Sequence, residues 1–346
     1  MAPSLPTPQS SRAARRRVLW RAVVALLVVS GAAFGYLLYA SIRDIVAYGG
    51  LPLLVAPAYA AVPRLSGPTA EPQATPTPAQ RMNILLLGID ARRNADAPSR
   101  TDSMMLCSVD PAAKSVTLLS IPRDLWVPMP PGFTFVGQDR INAAHFYGDL
   151  YHYPGGGPAL AKEAVQYNLG VPVQYYVRID FQGFVRAIDE IGGIDIDVPR
   201  EIVDTAYPLD GDQVTTLRIH AGLQHMDGDL ALKYARTRHD SNDIDRARRQ
   251  QQVMLAVRDK VLALDIPLTR IPALFSILGS SIQTDMPLDK IYQAAQVVRA
   301  VHTSEIRHAV IDETMTTRWI TSGGADVLLP QQDRIHALIE ELFPAE

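Results

Sequence analysis

The longest apolar stretch is Val18–Ala40, VLWRAVVALLVVSGAAFGYLLYA, which as a helix is long enough to cross a bilayer core of roughly 30 Å. Downstream the pattern becomes shorter and periodic. MNILLLGID (Met82–Asp90) is a continuous apolar run, as expected of a strand buried on both faces. SMMLCSVD (Ser103–Asp110) and SVTLLSI (Ser115–Ile121) flank the turn-like PAAK and predict an antiparallel pair. VQYYVRID (Val173–Asp180) and GIDIDV (Gly193–Val198) predict further strands, with FQGFVRAIDEIG helical between them. Helices are also predicted over Pro158–Leu169, Asp227–Ala235 and Asp243–Leu264. Strands alternating with helices imply a layered α/β or α–β–α domain. LDKIYQAAQVVRAV and DRIHALIEELF make the C-terminal portion, residues 265–346, mainly helical and place it over the sheet.

The flanks of the long apolar run give it a direction. Arg15, Arg16 and Arg17 precede it, so the positive-inside rule keeps residues 1–17 in the cytoplasm and sends the rest of the chain outside. Trp20, Tyr36 and Tyr39 suit the two interfaces, and Arg21 is near enough to the end to snorkel. A cleaved signal peptide shares the basic start, and APAYA (Ala56–Ala60) followed by Ala61 offers small residues for cleavage. The run exceeds the roughly 7–15 residues of a signal h-region and APAYA lies far beyond it, which favours an uncleaved membrane helix over 18–40. Residues 41–80 read as a Pro-rich linker, dense from Pro52 to Pro78, that holds a folded domain off the membrane. From Arg81 onward there is neither another span nor a comparable linker, so about 265 residues are expected to form one domain.

Composition narrows the function. With 346 residues, 47% of them hydrophobic, the chain can bury a full core, so wholesale disorder is excluded. The single cysteine, Cys107, rules out an intramolecular disulfide framework and a cysteine-based zinc cage. Net charge is −3, but residues 1–21 hold five arginines and no acid, leaving −8 on the remainder. A mildly acidic body argues against general nucleic-acid binding.

Several charged groups fall where chemistry is commonly placed. Asp90 ends the first apolar strand, and Arg100, Thr101 and Asp102 immediately precede the second, so two carboxylates and an arginine could converge at one sheet edge. From these residues alone, a solvated loop with local ion pairs is the simpler account. Arg123 and Asp124 in SIPRD repeat the pattern after the third strand, and Arg140 opens another polar segment in DRINAAHFYG. The strongest signal is the helix around Arg246, where Val253, Val257 and Val261, with Met254 beside them, define a buried stripe. Extended backward, that stripe reaches Arg249, Gln250 and Arg246, long polar groups that are costly to bury without partners. Either they meet an anion, or they form an exposed helix start paired with Asp240, Asp243 or Asp245. Arg236 and Arg238 in YARTRHD add to the cluster. Several arginines suit phosphate, because each guanidinium donates two parallel hydrogen bonds and stays charged. Two nearby aspartates fit Mg²⁺, whose octahedron phosphate and water complete. The combination points to a metal-bound pyrophosphate.

Other chemistries lack their signatures: there is no GxxxxGK loop, no GxSxG elbow and no HExxH. His145, His152, His220, His225 and His239 lack paired ligand spacing and read as surface or structural, and YPGGGPA (Tyr153–Ala159) reads as a flexible turn before a helix.

From about Met82 to Leu264 the chain resembles the LytR-CpsA-Psr family of membrane-anchored cell-wall glycopolymer transferases. The resemblance rests on the succession ILLLGID, RTDSMML, SIPRDLWV, RINAAHFYG, VQYYVRIDFQGFVRAIDEIGGIDIDV and HMDGDLALKYARTRHDSNDIDRARRQQQVM. It implies an α-β-α layered α/β domain with a central mixed sheet, catalytic over 81–264, facing outward behind the membrane helix. It also implies a polyprenyl-pyrophosphate-linked glycan as donor, its lipid in a long apolar pocket between sheet and helices, and peptidoglycan as acceptor through a phosphodiester link. Matching residues imply that Asp90 and Asp102 hold Mg²⁺, while Arg100, Arg123, Arg140, Arg236, Arg238, Arg246 and Gln250 contact the pyrophosphate. Asp243 matches an acidic position near the same head group, and Arg249 also falls in the motif. Two departures are Arg140, where the family often has lysine, and Asp245, where it often has glycine. Residues 265–346 carry none of these motifs.

The expected reaction is attack by a peptidoglycan sugar hydroxyl on the phosphorus nearer the glycan, expelling polyprenyl phosphate, with Asp102 and Arg123 as the catalytic pair. A lipid-glycan carrier or scaffold, and a pyrophosphatase using water, are the alternatives. Transcription control fits badly with an external acidic domain.

Overall fold

Strand β1 (Met82–Ile89) is buried on both faces, and β2 (Thr101–Asp110) and β3 (Ser115–Ser120) run antiparallel around the turn at 111–114. This computed structural model describes residues 80–90, 97–208, 213–238 and 243–344. The expected basic tail, membrane helix and linker up to residue 79 lie outside the described residues. Among the described residues no single helix is long and apolar enough to cross a membrane.

After β3 come a short ribbon of β4 (Trp126–Pro128) and β5 (Gln138–Arg140), then α1 (Ala143–Leu150) and α2 (Gly156–Leu169). Next follow β6 (Tyr175–Asp180), α3 (Phe181–Glu190) and β7 (Ile194–Val198). The antiparallel pair β8 (Ile202–Pro208) and β9 (Val214–Ile219) precedes β10 (Gly222–Met226), which pairs with β7. α4 (Gly228–Arg236) and α5 (Asp243–Ala263) complete the region carrying the family motifs. The C-terminal part adds α6 (Ile271–Leu278), β11 (Ile282–Thr284), α7 (Leu288–Ala300) and β12 (Arg307–Val310). It ends in the hairpin of β13 (Thr316–Ile320) and β14 (Asp326–Pro330), then α8 (Gln332–Leu342).

The central sheet has six strands in the order β11-β6-β1-β2-β3-β12. It is mixed, because β1 pairs parallel with β6 and antiparallel with β2, and β12 joins β3 in parallel. Alternation along the strands builds two cores. Leu85, Leu87, Leu106 and Leu119 pack on one face with Val165 and Leu169 of α2 and with Ile335 and Ile339 of α8. Ile84, Met105, Val109 and Leu118 pack on the other with Ala294 and Val297 of α7. A third core joins Ile194, Ile196, Tyr207 and Leu217 of the small strand pairs to Ala231, Tyr234 and Val253 of α4 and α5.

The C-terminal part does more than the expected cover over the sheet. Its helices α7 and α8 do cover opposite faces, but β11 and β12 also supply both edge strands. IQT and RHAV are too short for a period-2 signal, and the parallel β3–β12 pairing is made across a long crossover.

Two glycines mark close approaches that position the site. The β1–β2 register shifts between Gly88 and Ile89, where a Cβ on residue 88 would collide with Ser103 Oγ. A Cβ on Gly228, at the start of α4, would meet the backbone of Val185 in α3. There Asp227 caps the helix through the Leu230 amide, and Asp189 of α3 accepts from the Gly228 amide.

Candidate functional site

The β1–β2 register sets Ile89 opposite Thr101, so Asp90 and Asp102 leave the same end of two paired strands. Arg123, in the turn after β3, donates Nη1 to Asp102 Oδ1 at 2.8 Å and faces Asp124 with Nε at 3.4 Å. Asp124 also pairs with Arg140 Nε at 3.0 Å, and Arg140 Nη2 donates to the Asp326 carbonyl of β14 at 2.9 Å. Arg100 is exposed on the segment leading into β2.

Two side chains from the RINAAHFYG segment hold that segment in place. Asn142 Nδ2 donates to the Thr101 carbonyl at 3.0 Å, and His145 Nδ1 lies 2.7 Å from the Ser99 carbonyl, so the two carbonyls flanking Arg100 are both engaged. His145 is fully buried, and burial pushes its pKa below the usual imidazole value; it is structural, as its spacing indicated.

The remaining arginines come from the α4–α5 junction. Arg246, 6% exposed, pairs with Asp243 Oδ1 at 3.0 Å and donates Nη2 to the Asp102 carbonyl at 3.4 Å. Arg238 Nε lies 3.4 Å from the same Asp243 oxygen. Burial pushes the Asp243 carboxyl above its usual range, and a hydrogen bond with Asp124 pushes the same way, outweighing Arg238 and Arg123. Arg236 is oriented by rings: its guanidinium sits 4.4 Å from the Phe181 ring centroid, and Nη1 donates to the Tyr207 hydroxyl at 3.3 Å. Thr237 anchors the junction through its hydroxyl, which donates to Asp204 Oδ2 at 2.6 Å.

Arg249 points elsewhere. Its Nε donates to the Tyr234 carbonyl at 3.0 Å and Nη2 to the Thr237 carbonyl, while Gln250 Nε2 donates to the Ala235 carbonyl at 3.3 Å. These carbonyls end α4 and lack helical partners, so α5 caps α4 from the side and fixes the direction in which Arg236 and Arg238 leave it.

Asp102, Arg123, Arg236, Arg238 and Arg246 line one open cleft of about 570 Å³, with Asp204, Ala206 and Pro208 of β8 opposite. Arg236 also borders a second, apolar pocket of about 280 Å³ between the sheet and α3, α4 and α5. Leu86, Met105, Val177, Phe184, Leu232, Val253 and Val257 line it, and Gln250 lies at this pocket rather than in the cleft. Arg140 and Asp243 stand behind the cleft wall, tied in through Asp124, Arg238 and Arg246.

The β8 contribution was not foreseen from sequence. Asp204, 4% exposed, and Tyr207 sit in IVDTAYP, whose alternation is broken by a register shift between Asp204 and Tyr207. The only sequence-level hint is an acid and a tyrosine interleaved with apolar residues.

For a divalent metal, the expected donors Asp90 and Asp102 stand at adjacent strand ends, with Asp102 Oδ1 accepting from Arg123. Among the described residues no cluster of three or more His, Cys, Asp or Glu is placed to hold a metal alone. Two carboxylates still fit Mg²⁺, which takes one or two from a protein when phosphate oxygens and water supply the rest.

The sequence profile of the LytR_cpsA_psr family matches residues 65–343. The chain is 32% identical over 212 residues to polyisoprenyl-teichoic acid–peptidoglycan teichoic acid transferase TagU of Oceanobacillus iheyensis, covering 61% of this chain and 60% of that protein. It is 32% identical over 248 residues to the similarly named TagV of Bacillus subtilis, covering 71% of this chain and 58% of that protein. The matches thus span about three fifths of these relatives' length. The crystal structure of B. subtilis TagV superposes with a TM-score of 0.61 at 25% identity, covering 77% of this chain and 98% of that one. The motifs, the mixed sheet between helices and this profile match agree, and the chain belongs to the LytR_cpsA_psr family.

Proposed function

We propose that this protein is a membrane-anchored phosphotransferase that moves a glycopolymer from a polyprenyl-pyrophosphate carrier to peptidoglycan outside the cell. The observation that carries the reading is the shared wall at Arg236. A cleft with four arginines meets an apolar pocket there, so a ligand with a pyrophosphate head and a hydrocarbon tail fills both. The names of the relatives as teichoic acid–peptidoglycan transferases support the same class of reaction. The apolar run at Val18–Ala40 supplies the anchor, with residues 1–17 cytoplasmic and the folded domain outside.

In this mechanism Arg123, Arg236, Arg238 and Arg246 bind the two phosphates and stabilise charge on the transferred and leaving groups, while Arg140 steadies Arg123 through Asp124 and Arg100 adds positive charge next to Asp102 in the chain. Asp90 and Asp102 would hold Mg²⁺, which when bound would neutralise phosphate charge. The hydroxyl oxygen of the acceptor sugar forms a bond to the glycan-side phosphorus, and the bond from that phosphorus to the bridging oxygen breaks. Polyprenyl phosphate leaves, and the hydroxyl proton is released. Asp102 lies in the cleft to receive that proton, in competition with its metal role.

Mass spectrometry tests the reading. The purified full chain in detergent is incubated with Mg²⁺, a polyprenyl-pyrophosphate-linked sugar and short peptidoglycan strands. The expected product is phosphodiester-linked glycan, reduced roughly 10²–10³-fold by Arg123→Ala and abolished by Asp102→Ala. Free phosphorylated glycan as the main product would make the protein a pyrophosphatase, and unchanged bound donor would make it a carrier.

A further inference from the structure

The C-terminal hairpin brings a second kind of chemistry to the arginine cleft. Trp319 of β13, 43% exposed, meets Trp126 of β4 with ring centroids 6.4 Å apart and planes at 65°. Trp126 is directly opposite Arg140 in the β4–β5 register, so the indole and the guanidinium share one face of that ribbon. The hairpin is bonded into the same knot, since the Leu328 amide donates to the Asp124 carbonyl at 3.0 Å and the Asp326 carbonyl accepts from Arg140. Two residues from Trp319 on its strand face, Thr317 carries an exposed hydroxyl, which accepts from Gln331 Nε2 at 3.2 Å.

An exposed indole face beside a hydroxyl, an amide and a guanidinium suits a pyranose ring. The ring's C–H face is weakly positive and meets the negative π face, while its hydroxyls need polar partners at the edge. We infer that Trp126 and Trp319, with Arg140, Thr317 and Gln331, form a binding platform for the acceptor sugar chain, an N-acetylated peptidoglycan strand. This rests on the transferase reading for the choice of acceptor over donor. The chain of groups runs from the apolar pocket to Arg236, across the cleft to Arg123, and through Asp124 to Arg140, the register partner of Trp126. In an in-line displacement the leaving lipid phosphate occupies the Arg236 end, so the attacking hydroxyl enters from the opposite end, where the platform stands.

The chain contains three tryptophans, Trp20, Trp126 and Trp319, so in a Trp20→Phe background all indole fluorescence comes from the platform. Titrating that full-length protein in detergent with N-acetylglucosamine oligomers should give a saturable spectral shift. Trp319→Ala should weaken oligomer binding at least tenfold, and Trp319→Phe, which keeps a π face, should restore most of it. In turnover, Trp319→Ala should raise KM for peptidoglycan strands about tenfold and leave KM for the lipid-linked donor within twofold. No saturable shift, or a loss confined to the donor, overturns the proposal. A shift that depends on Trp319 in a protein that forms no transfer product would uphold the sugar platform and overturn the transferase reading instead.

Discussion

Replacing Thr237 by valine tests whether the arginines are aimed by their anchor. Valine keeps the branched shape and puts a methyl where the hydroxyl stood, so the change removes the donor to Asp204. The hydroxyl and its acceptor, Asp204 Oδ2, belong to residues that are 2% and 4% exposed, so the bond is largely shielded from water. A hydrogen bond to a charged group contributes about 1.5–3 kcal/mol, and Asp204 keeps its bond from the Ala206 amide, which places the expected loss near 2 kcal/mol. For a folded body of this size each kcal/mol moves Tm by about 2–4 °C, so the variant should melt about 4–8 °C below wild type. Because Arg236 and Arg238 flank the anchor, affinity for inorganic pyrophosphate, read by titration calorimetry, should fall together with Tm. Serine at 237 should recover both. A Tm within 1 °C of wild type would refute the energetic argument. A full loss of stability with unchanged pyrophosphate affinity would refute the link from anchor to site.

Asp243 predicts a pH dependence. Its folded-state pKa lies above the unfolded value of 3.8, so the fold binds the proton more tightly than the unfolded chain does. Its contribution to stability therefore falls as pH rises from about 4 through the folded pKa. Tm of Asp243→Asn minus Tm of wild type should climb over that window, and a difference that falls would show that the arginines outweigh burial. Arg123→Lys keeps the charge and loses the planar fork that reaches Asp102 and phosphate together, so transfer should drop at least tenfold, and wild-type turnover would reduce Arg123 to a point charge. Burial pushes the Cys107 thiol up to about 12 from 9.0, so at pH 8 it should alkylate about a thousandfold more slowly than a free thiol until the protein is denatured; rapid native labelling, counted by mass spectrometry, would contradict this.

Sequence periodicity revealed the long strands of the central sheet, β7 and the helices packed on them, but not β8, β9, β10, β13 and β14, which are at least as long as β7 and form small separate pairs. β1, β2, β3, β6 and β7, and helices α2, α3, α4, α5, α7 and α8, emerge within a residue or two of their expected bounds. β4, β5, β11 and β12 span three or four residues, too short to show a period, and β11 and β12 pair with strands far back in the chain. The site divides the same way. Arg123, Arg236, Arg238 and Arg246 stand out because each sits at the end of a legible element. Tyr207 and Asp204 meet Arg236 and Thr237 across 29 and 33 residues, and a tertiary contact of that span leaves no trace in local spacing. Nor does the hairpin that carries Trp319, which reaches Arg140 from 186 residues away at Asp326.

Carboxylates in and around the cleft explain how so many arginines share one wall. Asp124 lies between Arg123 and Arg140, Asp243 lies between Arg238 and Arg246, and Asp102 accepts from Arg123. Asp124 and Asp243 each separate two like charges and hold their guanidinium groups at fixed positions, and Asp102 holds Arg123 alone, so the donor atoms are already ordered. Arg236 is ordered differently, by Phe181 and Tyr207, at the boundary with the apolar pocket. A pyrophosphate bound as proposed would compete with Asp102 and Asp243 for guanidinium groups already in place. The cost of ordering these side chains has been met in folding, and what binding must supply is the exchange of one anion for another. Because burial raises the Asp243 pKa, its hold on Arg238 and Arg246 weakens at a higher pH than that of an ordinary carboxylate.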